Sequence, residues 1–471
     1  MPASPPDLQA RVDVLQAEVE DLRAALARAW AGDGSANAPP PAPAPAKPAP
    51  PSPSSSSSAW ERDHRLSRAQ VERYSRQMLL PWFGPAAQER LAAARVLVVG
   101  AGGLGSPALL YLAAAGVGTL GLCDRDGLEV SNLHRQVIHT TAAAMAGTPK
   151  VESAAAALAA LNPTITLTTH PAGLTPGNAA ALVAGYDLVL DATDNAPTRY
   201  LLSDAAAGAR VPLVSGAALG GEGQLTVYCG GADADTPCYR CLFPVPPRPG
   251  VCGACSDAGV LGPVPGVIGV LQAVEAVKVL AGVGESLARR LLLYDALGGN
   301  VRTVRLRARD PACPACGDTP SIEPASFDYA AFTSAPPHDA GPAGVRLLGA
   351  EDRVATPPEV GPAATILDVR PPSQWALGRL PGSVSVPYDA GDPAAWAARA
   401  AAAVGAAEGG EEPAASASKP ILVVCRRGND SQRAVVALRE GGVLPPGRRL
   451  VDLAGGLTGW VGGGGGDFPR Y

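Results

Sequence analysis

Positive charge is in short supply: 38 Lys and Arg stand against 43 Asp and Glu in 471 residues, a formal net charge of -5 at pH 7. A balance of that sign gives no general electrostatic attraction to nucleic acid or to an anionic membrane, so neither is expected as a direct partner. The first residues lack the basic start and apolar core of a secretory signal, and no apolar run reads as long enough to span a membrane. The cytosol is therefore the expected location. A disulfide framework is missing too, because the nine cysteines include three C-x-x-C pairs, a pattern suited to metal or sulfur chemistry in a reducing compartment. Residues 34–59 lack large apolar side chains and consist mainly of Pro, Ala and Ser, which predicts a linker.

What is present is 47% hydrophobic and long enough for two or three packed domains. Leu8, Val12, Leu15, Val19, Leu22 and Leu26 alternate in steps of four and three, predicting a short coiled coil within 1–33. From 60 to 322, strand-like runs at 96–99, 119–123, 165–169, 187–191 and 211–215 alternate with helical stretches, the pattern of a doubly wound, Rossmann-like α/β domain. Residues 323–350 turn Pro- and Ala-rich and are expected to form a second linker. A smaller α/β domain over 351–471 follows, with its clearest strands at 365–368 and 421–424, and with 391–419 and 462–466 expected as exposed insertions.

The first domain is organised around VLVVGAGGLGSPALLYLAAAGVGTLGLCD at 96–124. An unbroken apolar strand runs into Gly100, Gly102, Gly103 and Gly105, which allow close backbone approach to a phosphate, and a helix beginning near Ser106 and Pro107 aims free N–H groups at it. Asp124, about 20 residues on, occupies the place of a ribose-binding carboxylate. The glycines alone leave NAD, FAD and ATP open.

The segments RYSRQMLLPWFG at 73–84, DRDGLEVSNLHRQVIH from Asp124, GTPKVES and DATDNAPTRY narrow this. Together they resemble the ubiquitin-activating-enzyme superfamily, in its molybdopterin-synthase-sulfurylase branch. The resemblance implies that Gly103, Asp124, Ser131, Asn132, Leu133, His134, Arg135, Lys150, Asp194 and Asn195 contact ATP or its Mg²⁺. It also implies that Arg76 reaches the site of a neighbouring subunit in a homodimer. The chemistry agrees: a carboxylate attacking an α-phosphate brings two anions together, so Arg135 and Lys150 are suited to neutralise charge and Asp194 to hold Mg²⁺. Thr148 and Pro149 read as an N-cap and first helical residue, placing Lys150 at a helix start.

Cys238 with Cys241 and Cys313 with Cys316 form two knuckles that can present four thiolates to one structural Zn²⁺ per subunit. Cys252 and Cys255 form the third pair; by the resemblance Cys255, followed by x-Asp-x-Gly, is the family's active cysteine. Cys123 and Cys229 sit in apolar runs and read as core residues.

Near the C-terminus, PILVVCRRGNDSQRAVVALREGG places Cys425 on a loop between a strand and a helix, an arrangement that cradles an anionic sulfur. With LDVRPPSQWALGRLPGSVSVPY and DLAGGLTGW it resembles a rhodanese domain, although Arg379 stands where rhodaneses commonly carry His. A cysteine phosphatase would need Arg six positions after the nucleophile, where this chain has Ser431. The implied activity is adenylation of the C-terminal glycine of a ubiquitin-like sulfur carrier, followed by sulfur delivery from a Cys425 persulfide to give a thiocarboxylate. The implied carriers end in Gly-Gly and serve molybdenum-cofactor synthesis and tRNA wobble-uridine thiolation; a cysteine desulfurase is an example of the sulfur donor.

Overall fold

A computed structural model describes residues 63–230, 235–246, 259–335, 345–409, 419–464 and 468–469. The expected coiled coil, the first linker, Cys252 and Cys255 lie outside the described residues.

Eight strands form the larger sheet: β1 (Arg95–Val99), β2 (Thr119–Cys123), β3 (Thr166–His170), β4 (Leu188–Asp191), β5 (Leu213–Leu219), β6 (Glu222–Tyr228), β7 (Arg290–Asp295) and β8 (Asn300–Arg305). Their order is β3-β2-β1-β4-β5-β6-β7-β8. β1 to β5 pair in parallel, and β6, β7 and β8 continue the sheet antiparallel. The parallel half matches the expected strands. β6 to β8 were not foreseen, because β8 is exposed along its whole length and lacks the continuous apolar run that marks a buried strand.

The order reverses between β1 and β4, and such a switch point opens a crevice at the carboxyl ends of the strands. Val99 of β1 stands beside Cys123 of β2 and Asp191 of β4, so the loops carrying Gly100, Asp124 and Asp194 leave the sheet together. The helix Pro263–Ala281 packs along β5 and β6 and crosses the helix Gly105–Ala115 so closely that a Cβ on Gly269 would lie 2.1 Å from the Leu104 carbonyl oxygen. Contrary to the sequence reading, this helix is long and apolar enough to cross a membrane; half of its apolar window is nevertheless buried, as befits a core helix.

Residues 323–335 fall where a linker was expected, yet Tyr329 and Thr333 are buried in the short helix Tyr329–Thr333. Aromatic residues account for the difference. Phe327 and Phe332 flank the guanidinium of Arg240 at 4.7 and 4.6 Å, and Tyr329 Oη donates to Asp204 at 2.8 Å.

The C-terminal sheet contains β9 (Arg353–Val354), β10 (Thr365–Asp368), β11 (Val384–Ser385), β12 (Ile421–Val424) and β13 (Leu450–Leu453), all parallel, in the order β11-β10-β12-β13-β9. The stretch 391–419 is not wholly an exposed insertion. Its helix Pro393–Ala407 buries Trp396, Ala397, Ala400 and Val404. Alanine-rich composition concealed an apolar face of helical spacing, and Trp396 Nε1 donates to the Val386 carbonyl at 3.2 Å.

Candidate active sites

The turn after β1 depends on its glycines for packing. Gly100 has φ +100°, and a Cβ there would lie 2.5 Å from the Ala192 carbonyl oxygen; one on Gly105 would lie 1.9 Å from the Gly100 carbonyl oxygen. A Cβ on Gly103 would touch Arg135 Cγ at 3.3 Å, so the two expected ATP contacts are neighbours. The Ala101 peptide is held on both sides: its N–H donates to Asp124 Oδ2 at 2.7 Å, and its carbonyl accepts from His139 Nε2 at 2.9 Å. Asp124 thus braces the turn in addition to facing the crevice.

Opposite this turn, Lys150 opens the helix Lys150–Leu161. The helix begins one residue later than expected, with Pro149 at the N-cap and no side-chain cap. Lys150 is buried and its Nζ lies 2.8 Å from Asp126 Oδ2. Burial works against its charge, but Asp124, Asp126 and Asp194 outweigh that effect and hold Lys150 above the ordinary lysine value. Burial likewise pushes the Asp124 carboxyl above the usual carboxylate range, against the pull of Lys150. Three carboxylates around one cation make a site prepared for a cationic ligand or for an anion that brings cations with it.

Residues Val130–Asn132 form a 3₁₀ turn in which Ser131 is exposed and donates to Glu129 at 3.1 Å. Arg135 donates to Asn132 Oδ1 at 3.0 Å and lies 2.8 Å from His134 Nε2; Leu133 is half-buried. Burial first, then the Arg135 charge, lower the His134 pKa. Asp194 is exposed, whereas Asn195 caps the helix Ala196–Ala209 by accepting from the Thr198 N–H at 3.0 Å. Its side-chain oxygen is therefore engaged in holding the Asp194 loop. Arg76 is exposed on the helix Arg68–Met78, and no hydrogen bond or ion pair engages its side chain among the described residues.

Sequence reasoning passed over the buried groups beneath this crevice. Asp191 accepts from Thr193 Oγ1 at 2.6 Å and from Ser215 Oγ at 2.7 Å, while Arg199 donates to the Thr193 and Gly216 carbonyls, each at 2.7 Å. His139 also pairs with Ser153 at 3.0 Å. The charged residues in DATDNAPTRY were visible, but their inward direction was not.

The four cysteines of the two knuckles converge, with ligand atoms all within 4.8 Å of one another. Cys238–Cys313, Cys238–Cys241 and Cys241–Cys316 sulfurs stand 3.6, 3.8 and 3.4 Å apart. Sulfurs bound at about 2.3 Å to one tetrahedral ion would stand about 3.8 Å apart, so the set fits a closed metal site. The Asp310 N–H donates to Cys241 Sγ at 3.4 Å, a contact typical of a thiolate knuckle. Between the knuckle cysteines, Arg240 is buried and pairs with Asp204 through Nε at 2.8 Å and Nη2 at 2.8 Å. Cys123 and Cys229 are core residues, and burial pushes the Cys123 thiol up to about 12.

In the second sheet, Cys425 follows β12 and is only 4% exposed. Its sulfur accepts from the Gly428 N–H at 3.1 Å and lies 3.2 Å from Ser431 Oγ. Gly428, at φ +80°, closes the loop, since a Cβ there would meet the backbone nitrogens of Gly455 and Gly456 at 2.9 and 3.0 Å. Gln432 secures the turn from inside the helix Asp430–Glu440 by donating to the Gly428 carbonyl at 2.6 Å. Arg426 and Arg427 are half-buried on the same loop. Arg379, in place of the usual histidine, stacks 4.1 Å from the Trp375 ring, so its packing role is taken by a cation–π contact.

The chain matches the ThiF family over residues 74–315 and the rhodanese-like domain over 351–462. It is similar to the "Adenylyltransferase and sulfurtransferase MOCS3" of Arabidopsis thaliana, 43% identical over 422 residues that cover 88% of each chain. The Bos taurus protein of the same name is 43% identical over 411 residues, covering 86% of this chain and 89% of that one. Among solved structures, E. coli MccB with MccA-N7isoASN superposes at a TM-score of 0.46 and 22% identity, over 53% of this chain and 75% of that one. The chain therefore belongs to the ThiF family, carries a C-terminal rhodanese-like domain, and is an adenylyltransferase and sulfurtransferase like the MOCS3 proteins it resembles.

Proposed function

We propose that the chain uses ATP to adenylate the C-terminal glycine of ubiquitin-like sulfur carriers ending in Gly-Gly, then converts that carboxyl to a thiocarboxylate with sulfur carried by Cys425. The observation that carries this reading is the presence, in one polypeptide, of a charged crevice at the β1/β4 switch point and an enclosed cysteine at the end of β12. The carriers are the small subunit of molybdopterin synthase and the modifier used in tRNA wobble-uridine 2-thiolation. The work is cytosolic, and a cysteine desulfurase is a suitable source of the persulfide.

In the first step a carboxylate oxygen bonds to the α-phosphorus of ATP and pyrophosphate departs. Gly103 and its neighbours leave room for the phosphates, Arg135 and Lys150 offset their charge, and Asp194 would hold the Mg²⁺ that accompanies them. Asp124 faces the ribose. Next, the terminal sulfur of the Cys425 persulfide attacks the acyl carbon, AMP leaves, and an acyl disulfide remains. The thiolate of Cys255 attacks Cys425 Sγ, releasing the thiocarboxylate and leaving a Cys255–Cys425 disulfide for a cellular thiol to reduce. Cys255 precedes Gly259 by four residues, a reach of about 14 Å, and the chain at Gly262 packs against the His134 carbonyl beside the nucleotide crevice.

Cys238, Cys241, Cys313 and Cys316 would hold one zinc ion per subunit, which supplies a structural crosslink and leaves no open position for catalysis. The active form is a homodimer. Val267 and Val274, seven residues apart on the helix Pro263–Ala281, are 36% and 47% exposed, an apolar strip suited to a second copy. Arg76 then serves the partner's site.

Mass spectrometry of a Gly-Gly-ended carrier after incubation with ATP and a persulfide donor tests the chemistry. Replacement of one carboxyl oxygen by sulfur is the expected result, and an unmodified carrier would overturn it. Mixing Arg76→Ala with Asp194→Ala subunits should restore part of the activity; no recovery among demonstrably exchanged subunits would refute the shared site.

A further inference from the structure

The sulfur of Cys425 has a buried polar chain behind it. Ser431 Oγ lies 3.2 Å from Cys425 Sγ and donates a short hydrogen bond to Asp452 Oδ1. The other carboxylate oxygen, Oδ2, lies 3.0 Å from Arg353 Nε. Ser431 and Asp452 are both fully buried, and β13 carries Asp452 beside β12, in register with Val423. A serine hydroxyl has one proton, and an ionised carboxylate can only accept. That proton therefore points to Asp452, leaving the Cys425 thiol to donate to Ser431 Oγ.

We propose that Ser431 and Asp452 form the proton exit of Cys425: Ser431 takes the thiol proton while passing its own to Asp452, whose carboxylate Arg353 holds in place. After the shift Asp452 donates to Ser431, and the Ser431 hydroxyl together with the Gly428 N–H faces a thiolate. The thiolate sulfur then bonds to the outer sulfur of a donor persulfide, R–S–SH. The donor S–S bond breaks, its electron pair leaves with R–S, and this departing thiolate takes up one proton. The balance is Cys425–SH plus R–S–SH giving Cys425–S–SH plus R–SH, with no external oxidant or reductant. Burial pushes the Asp452 carboxyl upward, against the pull of Ser431 and Arg353, a shift in the direction that favours taking up a proton.

Other charged groups lie on the elements around Cys425. Arg426 and Arg427 lie on its loop, Asp430 pairs with Arg433 at 2.9 Å on the following helix, and the Asp368–Arg370 pair closes β10 beside Val424. Among the described residues, the hydrogen bonds of Cys425 Sγ run to the Gly428 N–H and to Ser431, and Ser431 leads on to Asp452, an acceptor for a proton.

The test is the pH profile of iodoacetamide alkylation at Cys425 in the full chain, read on the peptide carrying that residue, with melting curves as the folding check. Ser431→Ala leaves the Asp452–Arg353 pair intact and should raise the midpoint by about one pH unit, an approximately tenfold slower reaction at neutral pH. Asp452→Asn keeps an acceptor for Ser431 yet cannot take the proton, and should shift the profile in the same direction. Ser431→Thr, which restores the hydroxyl, should return the wild-type profile. An unchanged midpoint in folded Ser431→Ala overturns the proposal. So does a shifted Ser431→Ala profile beside a normal one for folded Asp452→Asn, because the serine would then act without the carboxylate.

Discussion

The nucleotide crevice and the sulfur site are built from the same part, a parallel strand running into a loop and then a helix, yet they treat charge in opposite ways. At the β1/β4 switch point, Asp194 and Ser131 are exposed, and Lys150 answers three carboxylates at once. At the end of β12, Cys425, Ser431 and Asp452 are buried, and each finds a partner within the fold. ATP is large and arrives with its own charges and cations, so its site must stay open and be completed by the ligand. A sulfur atom is small and remains tethered to the chain, so its cradle can be formed in advance by hydrogen-bond partners from the fold itself.

Crosswise loss would sharpen that contrast most. Cys425→Ala should abolish persulfide and thiocarboxylate formation while carrier-driven ATP–pyrophosphate exchange continues. Asp194→Ala should suppress both exchange and thiocarboxylate by about 10²-fold or more, with Cys425 still able to take up sulfur from a persulfide. Thiocarboxylate made at the normal rate by Cys425→Ala, with free sulfide excluded, would break the comparison.

Lys150→Met comes next, since it leaves Asp124 and Asp126 without their cation. Exchange should fall about 10²-fold and stability by about 1–3 kcal/mol, as read by denaturant titration of the nucleotide domain. A variant with normal exchange would show that the crevice does not depend on this charge. Cys313→Ser probes the cysteine cluster of the same domain. Metal content should drop together with a melting transition lowered on the order of 10 °C, while alkylation of Cys425 is unchanged. Loss of metal at constant melting temperature would remove the structural role.

The smallest effect is electrostatic and belongs to the sulfur-site sheet. A hydrogen bond from Arg439 holds the Asp352 carboxyl below the usual carboxylate range, with the two side chains 2.7 Å apart at their closest. A depressed folded value adds stability above the unfolded carboxylate pKa, about 3.9, and that stability is lost as pH falls through the lower folded value. Because the pair is partly exposed, Arg439→Ala should remove less than about 1 kcal/mol and flatten the acid limb of a stability–pH curve. An acid limb identical to wild type would show that the pair contributes nothing measurable.

By itself the sequence determined the periodic and the strongly local features. Val96 to Val99, the glycines after them and Asp124 spelled out a strand, a turn and a second strand end, because buried parallel strands need unbroken apolar runs and a close turn needs residues without Cβ. The cysteine spacing likewise announced two knuckles, and the loop after Cys425 announced a cradle. Only the tertiary structure decided which side chains look inward. It placed Asp452 behind Ser431 across a separation of 21 residues, set His139 on the Ala101 carbonyl 38 residues away, and folded 323–335 onto Arg240. It also joined β6 to β8 onto a parallel sheet through hydrogen bonds between backbones, which no side-chain period records. Local pattern reports how one segment meets water, whereas partners distant along the chain are chosen by the topology that brings strand ends together.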